Sequence, residues 1–126
     1  MNKKDVHILV VDDEQGIRDL LSFELGAQGY QITTAQDGIE ALEQVKKKKP
    51  QLVITDIMMP RMDGIATLAA VKEIDPAKEI PLLISSGQLP TEQFQGEAHI
   101  HRLQKPYSSK DLMNKIKIIF DQSQKS

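Results

Sequence analysis

The chain has 126 residues, enough for one domain with a core of its own. It is 40% hydrophobic and 27% charged, as ordinary globular proteins are, and its net charge of −2 provides no general basic surface for nucleic acid. The absence of cysteine excludes disulfides and cysteine-based metal or thiol sites. Its apolar runs are too short to span a bilayer and its first residues lack an apolar signal region, so a cytoplasmic location is expected.

The first 35 residues predict two strands with a helix between them. The run from Val6 to Val11 is almost continuously apolar, which indicates a strand buried on both faces, as in a parallel sheet. The more polar segment from Gln31 to Ala35 indicates a short edge strand. Between them, apolar residues at helical spacing predict a helix that Gly26 and Gly29 close; its apolar residues are Ile17, Leu20, Leu21 and Leu25.

A second helix is predicted to begin at Asp37, whose side chain suits a helix N-cap, with Glu40 at the third position beyond it. The four lysines from 46 to 49 are expected to be the solvated end of this helix, where positive charge suits the helix dipole. The apolar stripe of the helix consists of Ile39, Leu42 and Val45.

The remainder of the chain continues the alternation of strand and helix. Apolar runs predict strands that end at Asp56, at Ser85 and at Gln104, and a helix is predicted from about Gly64 to Ile74. Ser108 is predicted to cap a last helix with Asp111 at its third position; its apolar stripe is Leu112, Ile116, Ile119 and Phe120. We therefore expect one α/β domain over residues 1–121, with helices on both faces of a parallel sheet, and a polar tail over residues 122–126.

Polar residues follow four of the predicted strands at the point where each strand ends. In an open parallel sheet, ligands bind outside the carboxyl ends of the strands, so these side chains are expected to converge on one rim. Each of them alone has a structural explanation as a helix cap or a surface charge, but five at corresponding positions argue for a site. They are Asp12 and Asp13 after the first strand, Asp56 after the third, Ser86 after the fourth and Lys105 after the fifth.

The chemistry of this set favours phosphoryl transfer. Three neighbouring carboxylates repel one another unless a cation lies between them, and ligands that are all oxygen suit Mg²⁺. The ammonium of Lys105 and the hydroxyl of Ser86 would supply positive charge and a hydrogen bond to an incoming phosphoryl group. Asp56, at the centre of the sheet, is then the expected nucleophile, which would form an aspartyl phosphate.

The ordered set of motifs resembles the receiver domain of two-component response regulators along almost the whole chain. The matching motifs are Asp12-Asp13, Asp56 followed by Met-Met-Pro-Arg-Met-Asp-Gly, Ser86-Gly87 and Lys105-Pro106. The resemblance implies a flavodoxin-like fold with five strands in the order 2-1-3-4-5 and five helices. A receiver is a known example of this fold and strand order. It also implies a signalling phosphoacceptor of the single-domain type, with no enzymatic turnover of other substrates.

The same resemblance implies a role for each residue of the set. Asp56 would receive a phosphoryl group from the phosphohistidine of a sensor histidine kinase or a histidine phosphotransfer protein. Mg²⁺ would be bound directly by Asp13, Asp56 and the backbone carbonyl of Met58, and through water by Asp12. Lys105 would pair with the phosphoryl oxygens, and Ser86 would hydrogen-bond the phosphoryl group and so report the modified state to a downstream protein.

Two departures from the family pattern concern this reporting step. Receivers commonly place Tyr or Phe three residues before the lysine, whereas this chain has Arg102, which cannot bury itself behind Ser86 as a ring does. The stretch between Ser86 and Lys105 is also a few residues short. We therefore expect a shortened or irregular fourth helix and the most mobile part of the domain there.

Alternative functions remain open at the level of the sequence. The chain could be a free-standing regulator, a phosphorelay intermediate, or a receiver that belongs to a larger transcription factor or enzyme. A phosphatase that uses an aspartyl phosphate would need a second Asp two residues after the nucleophile, where this chain has Met58. A flavodoxin would need a hydroxyl- and glycine-rich phosphate loop after the first strand, where this chain has acidic residues. Neither direct nucleic-acid binding nor membrane insertion is expected.

Overall fold

The computed structural model describes residues 3–56, 80–86, 100–104 and 107–124. Within them, five strands and three α-helices follow a short 3-10 helix at Lys3–Asp5. The strands are β1 (His7–Val11), β2 (Gln31–Ala35), β3 (Leu52–Asp56), β4 (Leu82–Ser86) and β5 (Ile100–Gln104). The helices are α1 (Gln15–Ala27), α2 (Gly38–Lys47) and α3 (Ser109–Gln124). The helix predicted near residues 64–74 and the irregular segment predicted before residue 100 lie outside the described residues.

The five strands form one parallel sheet in the order β2-β1-β3-β4-β5, which confirms the predicted flavodoxin-like fold and strand order. The predicted number of five helices stays a prediction, because part of the chain lies outside the described residues. The chain moves from β1 outward to the edge strand β2 and then returns to β3 on the other side of β1. This reversal of direction lies between β1 and β3, where the carboxyl ends of the strands leave a crevice. In the register, Val11 at the end of β1 lies opposite Ala35 of β2 and Thr55 of β3.

Alternate residues of the strands supply two apolar layers, one on each face of the sheet. Leu9 and Val11 of β1 pack with Val45 of α2 on one face, and Ile8 and Val10 pack with the helices on the other face. The second layer includes the fully buried residues Leu25 of α1 and Leu112, Ile116 and Ile119 of α3. Because β1 is buried on both faces, its near-continuous apolar sequence is explained.

Local side-chain chemistry sets the ends of the helices, as predicted. The Asp37 carboxylate accepts a hydrogen bond of 2.9 Å from the backbone N–H of Glu40 at the start of α2. At the start of α3, the Ser108 hydroxyl accepts from the N–H of Asp111 at 3.0 Å, and the Asp111 carboxylate accepts from the N–H of Ser108 at 3.2 Å. This reciprocal pair is a capping box. After α1, Gly29 has φ of 102°, a left-handed conformation that glycine adopts without strain.

Two residues of the predicted apolar stripes face solvent instead of the core. Leu20 of α1 is 51% exposed and Ile39 of α2 is 44% exposed. Each residue of a helix is rotated by about 100° from its neighbour, so Leu20 is turned away from the buried Leu21. Ile39 lies two residues before the buried Ala41 and is therefore on the opposite side of α2.

Candidate functional site

The backbone brings the ends of β1 and β3 to the same rim of the sheet. Val11 and Thr55 are paired, and Asp12 and Asp56 are the residues that follow them. Neighbouring strands lie about 5 Å apart, so the two aspartates occupy adjacent positions of the rim. Asp56 pairs with Ser85 of β4, and Ser86 pairs with Gln104 of β5, so the ends of four strands follow one another along this rim.

Asp12 is held firmly at the end of β1. Its backbone N–H donates to the carbonyl of Ala35 at 3.1 Å, which extends the pairing with β2 by one residue. Its carboxylate Oδ1 accepts from the N–H of Glu14 at 3.0 Å, which turns the chain toward α1. The residue is only 3% exposed, and burial of a carboxylate is unfavourable unless it is hydrogen-bonded or charge-compensated. The site therefore contains a buried acid whose position is fixed.

Two exposed acids complete a cluster around Asp12. The carboxylates of Asp12, Asp13 and Glu14 offer oxygen atoms that all lie within 4.8 Å of one another. Glu14 occupies the N-cap position of α1, yet its side chain makes no capping hydrogen bond, so its carboxylate is not engaged by the helix end. Donors that are all carboxylate oxygen, partly open to water, suit Mg²⁺, which keeps several waters when bound. The cluster therefore has the composition of a magnesium site.

Arg18 supports the backbone of this acidic turn from the first part of α1. Its half-buried guanidinium donates a hydrogen bond of 2.6 Å from Nη1 to the backbone carbonyl of Asp12. The bond ties α1 to the end of β1, so the position of the acidic turn depends on the seating of the helix.

The structure brings together some of the residues predicted from the sequence. Asp12 and Asp13 lie in one cluster, and Asp56 and Ser86 stand at the ends of β3 and β4 along the same rim. Met58 and Lys105 lie outside the described residues, so their predicted parts in the site stay predictions. Arg102, the departure from the family pattern, is half-buried in β5 and pairs with Ile84 of β4.

Glu14 and Arg18 belong to this site and were not predicted from the sequence. Glu14 directly follows the two aspartates, and this adjacency was the available signal for it. Its approach to them depends on the extended N-cap conformation at φ −93° and ψ 118°, which adjacency does not reveal. Arg18 has no comparable signal, because its contact is with a backbone carbonyl six residues earlier.

The fold and the rim together define a class of protein: a doubly wound α/β domain with an acidic site at the switch in strand order. Comparison with known proteins agrees with this class of protein and identifies a family within it. The family model of the response regulator receiver domain matches residues 8–117 of the chain. Among the described residues, no helix has the length and apolar character needed to cross a bilayer.

Individual relatives agree with the family match. Sporulation initiation phosphotransferase F of Bacillus subtilis is 36% identical over 118 residues, which cover 93% of each chain. The transcriptional regulatory protein GlrR of Escherichia coli is 36% identical over 90 residues, 71% of this chain but only 20% of the relative. The chemotaxis protein CheY4 of Vibrio cholerae superposes with a TM-score of 0.82 and 32% identity, over 90% of this chain and 98% of the other. The chain therefore belongs to the response regulator receiver family.

Proposed function

We propose that this chain accepts a phosphoryl group on Asp56 and uses the modification to switch between two states that a downstream protein distinguishes. The observation that supports this most directly is the register of β1 against β3. It sets the backbone of Asp56 beside Asp12, which is buried and fixed, with two further acids next to it. A rim of this kind provides a nucleophile and a place for a divalent cation side by side.

In the proposed site, Mg²⁺ would be held by Asp13, Asp56 and the backbone carbonyl of Met58, with Asp12 acting through water. Glu14 adds a further carboxylate beside Asp12 and Asp13. When bound, Mg²⁺ neutralises charge on the phosphoryl oxygens and on the carboxylates. Lys105 provides the second positive charge for the same oxygens, and Ser86 provides a hydrogen bond to the bound phosphoryl group.

The proposed reaction is a displacement at phosphorus. A carboxylate oxygen of Asp56 attacks the phosphorus atom of a phosphohistidine, a new O–P bond forms, and the P–N bond breaks. The electron pair of the P–N bond returns to the imidazole, which takes a proton from solvent. The product is an aspartyl phosphate, and each chain is modified once instead of turning over a substrate.

The donor is proposed to be a sensor histidine kinase or a histidine phosphotransfer protein, in keeping with the two-component systems to which the family belongs. The chain spans about a fifth of the length of the first curated relatives it matches, so an output through a further domain is part of the same proposal. A phosphorelay role is the second candidate. It is supported by the sporulation initiation phosphotransferase F relative, which this chain matches over 93% of both lengths.

The test is phosphorylation of the purified chain by acetyl phosphate in the presence of Mg²⁺. We expect the intact mass to increase by one phosphoryl group, and we expect Asp56→Asn to abolish the increase because an amide cannot act as the nucleophile. Asp19→Asn is the matched control, since Asp19 is an exposed aspartate of α1, and it should be modified like the wild type.

Two further results would separate the alternatives. Modification that persists in Asp56→Asn, or that needs no divalent cation, would contradict the proposed site. If the phosphorylated chain passes its phosphoryl group on to a purified histidine phosphotransfer protein, the relay role is supported. If the group is lost only to water, the relay role is rejected and the proposed switch toward a downstream protein is supported. Phosphotransfer profiling against candidate kinases would then identify the donor.

A further inference from the structure

A groove lies at the opposite end of the molecule from the acidic rim. It is bounded by the 3-10 helix at Lys3–Asp5, the turn after α1 and the second half of α3, and it encloses about 490 Å³. We call it the basal groove. Its volume is within the range of about 300–1,000 Å³ that is typical of small-molecule sites. It lies at the amino ends of β1 and β2, so the five-residue strand β1 separates it from the acidic rim by about 16 Å.

Two aromatic rings line the basal groove. The ring centroids of Tyr30 and Phe120 lie 6.0 Å apart with an angle of 44° between the ring planes. Both residues are only half-buried, so part of each ring remains accessible from the groove. Burial raises the pKa of the Tyr30 hydroxyl, which keeps it a neutral hydrogen-bonding group at ordinary pH. These surfaces suit the stacking of a planar apolar group.

Positive charge borders the rings on two sides. The Lys3 ammonium lies 5.6 Å from the centroid of the Tyr30 ring and 3.5 Å from the Gln28 side-chain oxygen. Lys117 of α3 also lines the groove, and both lysines are exposed, so their ammonium groups can turn toward a ligand. Among the described residues that line the groove, Asp121 is the one acid, so the charges of these residues sum to +1.

We propose that the basal groove binds a small planar aromatic carboxylate, with its ring on Tyr30 and Phe120 and its carboxylate between Lys3 and Lys117. The amide of Asn114, also in the lining, supplies a further hydrogen-bond donor. Aromatic surface alone would favour any planar apolar molecule, whereas the two lysines select an anion. The site is separate from the phosphoryl chemistry, and it does not depend on the proposed function.

The test uses 2-naphthoate as the probe and the intact chain labelled with ¹⁵N. We expect saturable shifts of amide resonances at Tyr30, Asn114 and Phe120, with one binding site per chain. The neutral analogue 2-naphthamide should bind more weakly, because it has the same ring system without the charge. Lys3→Gln and Lys117→Gln should each weaken 2-naphthoate binding by about fivefold, as expected for removal of one charge at short range in a solvated site.

Lys47→Gln is the matched control, since Lys47 is an exposed lysine of α2 and lies on the other face of the sheet. It should bind 2-naphthoate like the wild type. Equal affinity for the acid and the amide, or unchanged affinity in both groove variants, would overturn the proposal. So would shifts centred on Asp12 and Asp13, which would assign the probe to the acidic rim. Shifts that follow protein concentration instead of probe concentration would assign the groove to a second copy of the chain and also overturn it.

Discussion

His7 is a buried titratable residue at the start of β1, only 4% exposed. Its ring Nε2 lies 2.6 Å from the Thr33 hydroxyl, and its Nδ1 is buried without a hydrogen-bond partner among the described residues. Burial, followed by the nearby charge of Lys48, lowers the pKa of the imidazole below its ordinary value. Protonation would add both a charge and an N–H donor in a place that satisfies neither, so the neutral ring belongs to the stable fold.

The stability of the domain should therefore depend on pH through His7. The unfolded chain binds a proton at this residue near pH 6.5, whereas the folded chain binds it only at lower pH, so the unfolded state holds more protons in this window. The contribution of His7 to the free energy of unfolding should be complete above pH 6.5 and should decrease as the pH drops from there toward the lowered pKa. In His7→Gln, the free energy of unfolding, measured with urea at a series of pH values, should decrease less over this range than in the wild type.

The comparison needs a control, because other groups also titrate as the pH drops. Thr34→Val provides it, since Thr34 is a half-buried residue of the neighbouring strand β2 and the substitution removes no titratable group. This variant should keep the pH dependence of the wild type between pH 7 and pH 5. If His7→Gln has the same slope as the wild type over that range, the imidazole of His7 is not the group responsible.

Single residues could be predicted from the sequence where their position depends on neighbouring residues in the chain. The prediction that Asp12 and Asp13 lie at the end of β1 was correct, because the end of an apolar run is visible in the sequence. The caps at Asp37 and Ser108 were also predictable, since each depends on side chains only three residues apart. Glu14 joins the cluster only through the backbone conformation of the turn, so its contribution could not be predicted from the pattern of acids alone.

At the scale of elements, α1 carries an apolar surface that the core does not use. Phe23 is 76% exposed and Leu20 is 51% exposed, whereas Leu21 and Leu25 of the same helix are buried. A helical pattern predicts which residues are apolar and close in space, but it does not state how the helix is rotated on the sheet. The exposure of Leu20 could therefore not be predicted from its spacing, and only packing against the second apolar layer fixes the rotation.

The exposed side of α1 is adjacent to the proposed reaction site. The helix begins at Gln15, directly after the acidic cluster, so a protein that delivers a phosphoryl group to the rim would extend over the first turns of α1. We expect the double variant Leu20→Ala/Phe23→Ala to reduce phosphotransfer from the kinase or phosphotransfer protein selected by profiling by about tenfold or more, which is the scale of losing two apolar contacts at an interface. Phosphorylation by acetyl phosphate should be unchanged, because a small donor does not contact α1.

Ile118→Ala is the control for this experiment, as Ile118 is a comparably apolar residue of α3 with 48% exposure. It should leave both reactions near the wild-type rates. A double variant that loses acetyl phosphate reactivity as well would indicate damage to the site instead of lost docking. Equal transfer rates in the double variant and the wild type would show that the partner does not use this surface.

At the scale of the whole molecule, the acidic rim and the stability of the domain are linked. The fold itself was predictable, because buried parallel strands appear as apolar runs and the alternation with helices leaves few topologies. The cost of the site was only partly visible in the same pattern. The three acids are consecutive and repel one another in any state of the chain, but the fold also buries Asp12 and holds the three carboxylates within 4.8 Å of one another. A cation that binds the folded state and not the unfolded chain should offset this repulsion.

Mg²⁺ should therefore raise the thermal unfolding midpoint above that in a sodium salt of equal ionic strength. At a free concentration ten times the dissociation constant, selective binding to the folded state contributes about 1.4 kcal/mol to stability.

Asp13→Asn should remove most of the difference between the two salts, because it deletes the acid proposed to contact the metal directly. It should also be more stable than the wild type in sodium alone, since one repulsive charge is lost. Asp19→Asn, which changes an exposed aspartate of α1, should keep the full response to Mg²⁺. An Asp13→Asn variant that responds to Mg²⁺ as strongly as the wild type would place the metal elsewhere in the molecule.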